Sequence, residues 1–255
     1  MKVVFHPAFH AVYTSDPAAA AGRMEAALAG LGPEVEWVEP EAAGQEDLLR
    51  AHSAAHIESI RRLGLYEIAA LAAGGAIRAA EIGMSEPCFA AIRPPGHHAS
   101  RDSCWGFCFF NNMAVAVLAL AARGLARRVH ILDFDLHYGD GTENILGSRP
   151  GVSIHNPAAA GRGSYLEEIE RTLARAEADV IGVSAGFDNH LEDWGGLLLT
   201  EDYRAIGGMV REAAGRLGAG CFALLEGGYN HAVLGENVRA FLAGLSGEEE
   251  RVRRE

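Results

Sequence analysis

Six short apolar runs punctuate the chain: KVVFH (2–6), CFAAI (88–92), RVHILDFD (128–135), VSIH (152–155), DVIGVSAG (179–186) and CFALLEGG (221–228). A strand covered on both faces needs no polar side, so near-continuous runs of this length read as buried parallel strands. Alanine- and leucine-rich segments with helical period lie between them, near 17–30, 65–83, 110–123, 165–177, 201–217 and 231–244. Strands alternating with helices predict an α/β protein with one parallel sheet between helical layers. No internal repeat and no Pro- or Ser-rich linker interrupts the pattern. It predicts one domain over residues 1–245, and the charged residues 246–255 read as a solvated tail.

The polar residues fall at the ends of these runs. CFAAI leads into RPPGHH, HIL into DFDLH, VIGVSAG into FDNH, and FALLEGG into YN. In parallel α/β sheets the C-terminal strand edge is where sites are built. Four such endings in one chain are hard to explain by turn chemistry alone.

Asp135 and His137 are two residues apart, so on an extended segment their side chains project the same way and reach one ion. Asp188, ending VIGVSAGFD, is the best candidate for a third ligand. Two carboxylates and one imidazole leave an open position, the pattern of a catalytic rather than a structural zinc site. The D-x-H spacing alone equally suits hydrogen-bonded turn aspartates beside a surface histidine; the other strand ends favour the metal. Asp133 lies deeper in the same run. A buried carboxylate needs a partner, so it either receives a proton from a histidine, helps hold a counter-cation, or is a turn acid. His97 and His98 follow Arg93-Pro94-Pro95-Gly96, a stiff loop that can aim two imidazoles at one place. Asp133 and Asp140 are available to hold their tautomers, which suits a general base. Tyr229 follows two glycines and either stabilises an oxyanion with its phenol or caps the core. Gly106 and Phe107, within CWGFCFFNN, suit a narrow apolar channel.

Composition narrows the function classes. At 255 residues, with 49% hydrophobic and 22% charged, the chain buries a full core. A net charge of −12 argues against nucleic acid as a partner and fits a cationic substrate, although acidity also serves solubility. No apolar run reaches the roughly 18 residues of a membrane span, and MKVVFHPAFH does not read as a signal peptide. Cys88, Cys104, Cys108 and Cys221 form no paired framework, so reduced thiols and a cytoplasmic location are expected.

Taken in order, RPPGHHA, GFCFFNN, DFDLHYGDGT, SAGFD and LEGGYN resemble the histone deacetylase superfamily, which includes acetylpolyamine amidohydrolases. LAAGGAI (71–77) and GGLLLTEDY (195–203) extend the resemblance over about residues 3–244. It implies the arginase–deacetylase fold, a three-layer α/β/α sandwich with a mainly parallel, eight-stranded sheet. It implies Asp135, His137 and Asp188 as zinc ligands, with iron(II) the alternative metal. His97 and His98 become the tandem histidines paired with Asp133 and Asp140, His98 being the general base and acid. Tyr229 polarises the acyl carbonyl, Gly106 and Phe107 line the tunnel, and Arg23 sits near the base of the site. A potassium site is implied at Asp133, Asp135 and His137 with Ser153 and Ile154. The activity implied is removal of an acetyl or other short acyl group from acyl-lysine or an acylated small amine.

The chain departs from that pattern by being short. Only LYEIA separates the helix near 57–64 from the LAAGGAI helix, so no residue matches the aspartate that relatives use to grip a substrate backbone. The segment after VSIH is brief too, which predicts an open mouth and leaves histone specificity unsupported. His190 and Trp194 are candidate rim residues. An arginase-type ureohydrolase would need two manganese ions and D-x-H-x-D, whereas the order here is D-x-D-x-H. A silent amine-binding protein would not require a base beside an open metal.

Overall fold

The computed structural model describes residues 1–248. In chain order the elements are β1 (Lys2–Val4), α1 (Arg23–Leu28), β2 (Glu36–Val38), α2 (Gln45–Ala51), α3 (Ala54–Arg62), α4 (Tyr66–Gly83), β3 (Cys88–Ala90), α5 (Asn112–Ala122), β4 (Val129–Asp133), α6 (Asp140–Leu146), β5 (Val152–His155), α7 (Arg162–Arg175), β6 (Val180–Ala185), α8 (Thr200–Leu217), β7 (Gly220–Leu225) and α9 (His231–Ser246). All six apolar runs form strands. β3, β4 and β6 are buried at every position, which is why their sequences carry no polar alternation.

The sheet has the order β2-β1-β3-β7-β6-β4-β5, and every pairing is parallel. The described residues thus form seven strands, not the eight the resemblance implied. The reason is chain length: only residues 156–161 connect β5 to α7. That leaves β5 as the sheet edge. Helices α4 and α5 pack together, as do α8 and α9, and both pairs lie against the central strands. Helix α5 (NMAVAVLALAA) is apolar all round because all but its last two residues are buried.

Two local readings change. The helix expected over 17–30 is broken: Pro17–Ala19 is a short 3-10 turn, and Gly22 adopts φ +81° before α1 begins. The strand β2 was not expected because Glu36 and Trp37 are exposed on a three-residue edge. Of the tail expected over 246–255, Ser246 still belongs to α9, and 249–255 lie outside the described residues.

Candidate active site

β3, β7, β6 and β4 are consecutive neighbours in the sheet. The polar segments that follow them, 93–98, 226–229, 186–190 and 134–140, therefore meet at one edge although they are far apart in sequence. Asp135, His137 and Asp188 come together there, with one ligand atom from each lying within 4.8 Å of the others. His137 Nδ1 hydrogen-bonds to Asp135 Oδ1 at 3.2 Å. It also lies 3.1 Å from Asp188 Oδ2, but out of hydrogen-bonding geometry, so that buried oxygen has no donor. Asp188 Oδ1 accepts the Leu136 N–H at 3.1 Å, and Asp135 Oδ2 accepts the Gly227 N–H at 2.8 Å.

The electrostatics of the trio are strongly coupled. Burial, then the charge of Asp135, push the Asp188 carboxyl up to about 6. Burial opposes the charge of Asp135 too, but His97 and the hydrogen bonds from His137 and Gly227 outweigh it and hold it below the usual range. The hydrogen bond to Asp135 and then the adjacent Asp188 carboxylate push His137 up to about 10, against burial. Two buried acids side by side, one with an orphaned oxygen, form a donor set that a divalent cation satisfies. Gly227 makes room for it: a Cβ there would come within 2.6 Å of Asp135 Oδ2 and of Asp188 Oδ2.

The tandem histidines separate into two roles. His97 Nδ1–H donates to Asp133 Oδ2 (3.1 Å), and His98 Nδ1–H donates to Asp140 Oδ1 (2.7 Å). An ionised carboxylate only accepts, so Nδ1 carries the proton in each pair and a neutral ring keeps a lone pair at Nε2. Burial disfavours a charged His97, but Asp135 and Asp133 outweigh it and hold the imidazole well above its usual value. Burial, then the charge on His97, push His98 down to about 4 despite Asp140. Neighbouring groups driven apart in this way form a fixed cation and a neutral base. Asp133 also accepts the Asp135 N–H at 3.2 Å. Both of its oxygens thus have partners.

Glu226 was missed from sequence. It is fully buried, and its Oε2 accepts the N–H groups of Gly96 (2.7 Å) and His97 (3.2 Å). It thereby fixes the loop that carries both histidines. An acid inside the apolar run FALLEGG was the available signal, since a buried carboxylate must find donors. His97, Cys108 and Glu226 also approach within 4.8 Å of one another. Burial holds the Cys108 thiol well above its ordinary value, which makes that trio a poor metal site.

His98, His137, Trp105, Phe107, Trp194 and Tyr229 line a cleft of about 120 Å³. Among the described residues no carboxylate lines it. Larger surface grooves flank β5 and the α8–α9 edge, but the convergent polar groups are here. Tyr229 is stacked on Trp194 at 4.0 Å between ring centres and meets the edge of Phe107 at 5.9 Å. Its N–H, with that of Asn230, is held by Asp193 Oδ2 at 2.8 and 2.7 Å. Burial and then Asp135 raise its phenol far above the usual value, so it is a donor at all working pH values.

Other expected site residues are placed differently. Arg23 lies at the base, fully buried behind the cleft wall. Its guanidinium donates to the carbonyls of Gly228 (2.8 Å) and Glu226 (2.6 Å), so it supports the Tyr229 loop and is not among the cleft-lining residues. Ser153 and Ile154, expected at a potassium site, lie on β5 alongside β4. The register sets them opposite His130 and Ile131, and Ser153 Oγ bonds His130 Nδ1 at 2.8 Å. His190 is buried, with Nδ1 accepting the Glu192 N–H at 3.1 Å, whereas Trp194 does stand at the mouth.

The comparisons with known proteins agree with this geometry. The histone deacetylase domain family matches residues 17–165 and 153–245. A histone deacetylase-like amidohydrolase of Pseudomonas aeruginosa is 32% identical over 93% of this chain and 80% of its own length. A probable deacetylase of Methanothermobacter thermautotrophicus is 32% identical over 84% of this chain and 80% of its length. An acetylpolyamine amidohydrolase of Burkholderia pseudomallei is 32% identical over 69% of this chain and 60% of its length. The crystal structure of the HDA15 HD domain superposes with a TM-score of 0.86, covering 98% of this chain and 90% of that one at 24% identity, which shows the shared fold. The chain belongs to the histone deacetylase family. It is accordingly a hydrolase that acts on amides.

Proposed function

We propose that this chain is a zinc-dependent deacetylase that frees an amine from its acetyl or other short acyl group. Asp135, His137 and Asp188 would hold the metal, with iron(II) the alternative. The observation that carries this reading is the convergence of three elements on one cleft edge. They are the ligand trio with its orphaned Asp188 oxygen, the Asp140-held His98, and Tyr229. When bound, the metal acidifies a water and polarises the amide carbonyl.

The chain's own groups do the rest. His98 takes the proton of the attacking water at Nε2 and later delivers it to the leaving amine. Asp140 keeps that ring in one tautomer through each transfer. The Tyr229 hydroxyl donates to the carbonyl oxygen as negative charge develops on it. His97, held as a cation by Asp133 and Asp135, adds a fixed positive charge beside the site. The aromatic walls exclude water and admit a narrow acyl group. The products are a carboxylate, acetate by default, and the free amine.

The names of the relatives point to acylated amines as the substrate class. With no carboxylate lining the cleft among the described residues, small acylated amines suit it at least as well as acyl-lysine in proteins. The net charge of −12 favours a cationic substrate over nucleic acid. Four free cysteines suit a reducing, cytoplasmic setting, and no described helix is long and apolar enough to cross a membrane. The test is amine release by the zinc-loaded protein from acetyl-lysine peptides and from acetylated putrescine, cadaverine and spermidine. Release from the panel member with the highest kcat/KM names the substrate class. One zinc bound with no release from any member would sink the deacetylase reading.

A further inference from the structure

Asp140, the partner of the proposed base, is exposed. Its side chain is 41% accessible at the first residue of α6, and a partly solvated carboxylate is poorly suited to holding an imidazole still. A second residue takes up its other oxygen. The Trp105 Nε1–H donates to Asp140 Oδ2 at 2.8 Å, while Asp140 Oδ1 accepts from His98. An indole has one donor, and here it is spent on this carboxylate. The indole ring also covers the imidazole of His98, with 3.9 Å between ring centres and 32° between planes.

The backbone is shaped to bring Trp105 there. Gly106 has φ +59° and Phe107 has φ +69°, a left-handed pair that non-glycine residues rarely join. A Cβ on Gly106 would overlap the His98 ring. The loop thus wraps the histidine closely enough to lay Trp105 across it, yet Trp105 remains 56% exposed. Its placement is not explained by burial.

We propose that Trp105 is a positioning residue for the hydrolysis. Its N–H locks Asp140, Asp140 locks His98, and its ring roofs the imidazole so that Nε2 stays aimed into the cleft. This rests on the deacetylase reading above.

The test separates donor from ring. Trp105→Phe keeps an aromatic roof and removes the N–H. The expected result is a kcat lower by about tenfold with KM within about twofold, the size of one hydrogen bond to a charged group. In an Asp140→Asn background the same substitution should cost nothing further, since both act through one link. Wild-type kcat in Trp105→Phe, a raised KM at unchanged kcat, or losses that multiply would each overturn the proposal. The indole N–H signals of Trp37, Trp105 and Trp194 in an NMR spectrum give an independent readout. The Trp105 signal should move in Asp140→Asn while the other two stay. If the wild-type protein releases no amine, the deacetylase reading falls, and the indole signal alone decides the lock: a Trp105 signal that does not move overturns it.

Discussion

His137 Nδ1 and Asp188 Oδ2 stand 3.1 Å apart without a hydrogen bond between them. The arrangement suits two groups that share a cation, as the proposed metal site requires. Without metal, the two carboxylates push His137 up to about 10, so it is protonated at pH 7. A metal binds the neutral imidazole. Zinc uptake at pH 7 should therefore release about one proton, and affinity should rise with pH by up to about tenfold per unit below the His137 value. Calorimetric titrations in buffers of different ionisation heat measure this directly. Binding with no proton release would remove His137 from the ligand set.

The division of labour between His98 and Tyr229 predicts two distinct losses. His98→Ala should lower kcat by about 10²- to 10⁴-fold, as for a lost general base. Tyr229→Phe should lower it by about 10²- to 10³-fold, as for a lost oxyanion donor. Both variants should still bind one metal, because neither touches Asp135, His137 or Asp188 through a hydrogen bond. Metal content by atomic emission, taken with the kinetics, checks both. A metal-free variant would show that the lost group held the site together rather than acting in the reaction.

The central strands were legible because they are buried on both faces: VIGVSA becomes β6 residue for residue. The ligand spacing was legible because Asp135 and His137 follow directly on one strand end. What sequence does not carry is adjacency. Nothing in RPPGHH says that His97 meets Asp133 and His98 meets Asp140; that depends on β3, β7, β6 and β4 being neighbours. Register is equally silent: nothing in VSIH says that Ser153 stands opposite His130 and bonds its imidazole. Trp105 gave no signal because its role is one N–H on a loop that is bent by two left-handed residues.

Gly227 tests how tightly the ligand carboxylates are packed. A methyl group there would sit 2.6 Å from both Asp135 Oδ2 and Asp188 Oδ2, and neither buried acid has room to retreat. Gly227→Ala should abolish metal binding and activity together. Gly208, within α8, is the control, since nothing lies within 4 Å of a Cβ built there. Gly208→Ala should leave activity intact and add roughly 0.5–1 kcal/mol of stability, as for a glycine replaced in a helix interior. Metal-binding titration and thermal melts read the pair. A Gly227→Ala protein that keeps its metal would place the ion elsewhere in the cleft.

Glu226 makes the metal-free fold sensitive to pH in a direction opposite to ordinary acid denaturation. Burial pushes its carboxyl up from 4.5 to about 7, although Gly96 donates a hydrogen bond to it. The folded state therefore holds this proton more tightly than the unfolded chain does. The resulting stabilisation is complete below the unfolded value and is lost as pH rises through about 7. The loss is at most about 3 kcal/mol across that window. Asp188 leans the same way through burial, so the comparison is between wild type and Glu226→Gln, both metal-free, in which other groups cancel. Gln cannot ionise, and its amide oxygen can still accept from Gly96. The melting temperature of wild type should fall more steeply than that of Glu226→Gln between pH 5 and 8. Parallel curves would mean that Glu226 is ionised throughout, with its buried charge stabilised by His97 and the two backbone donors.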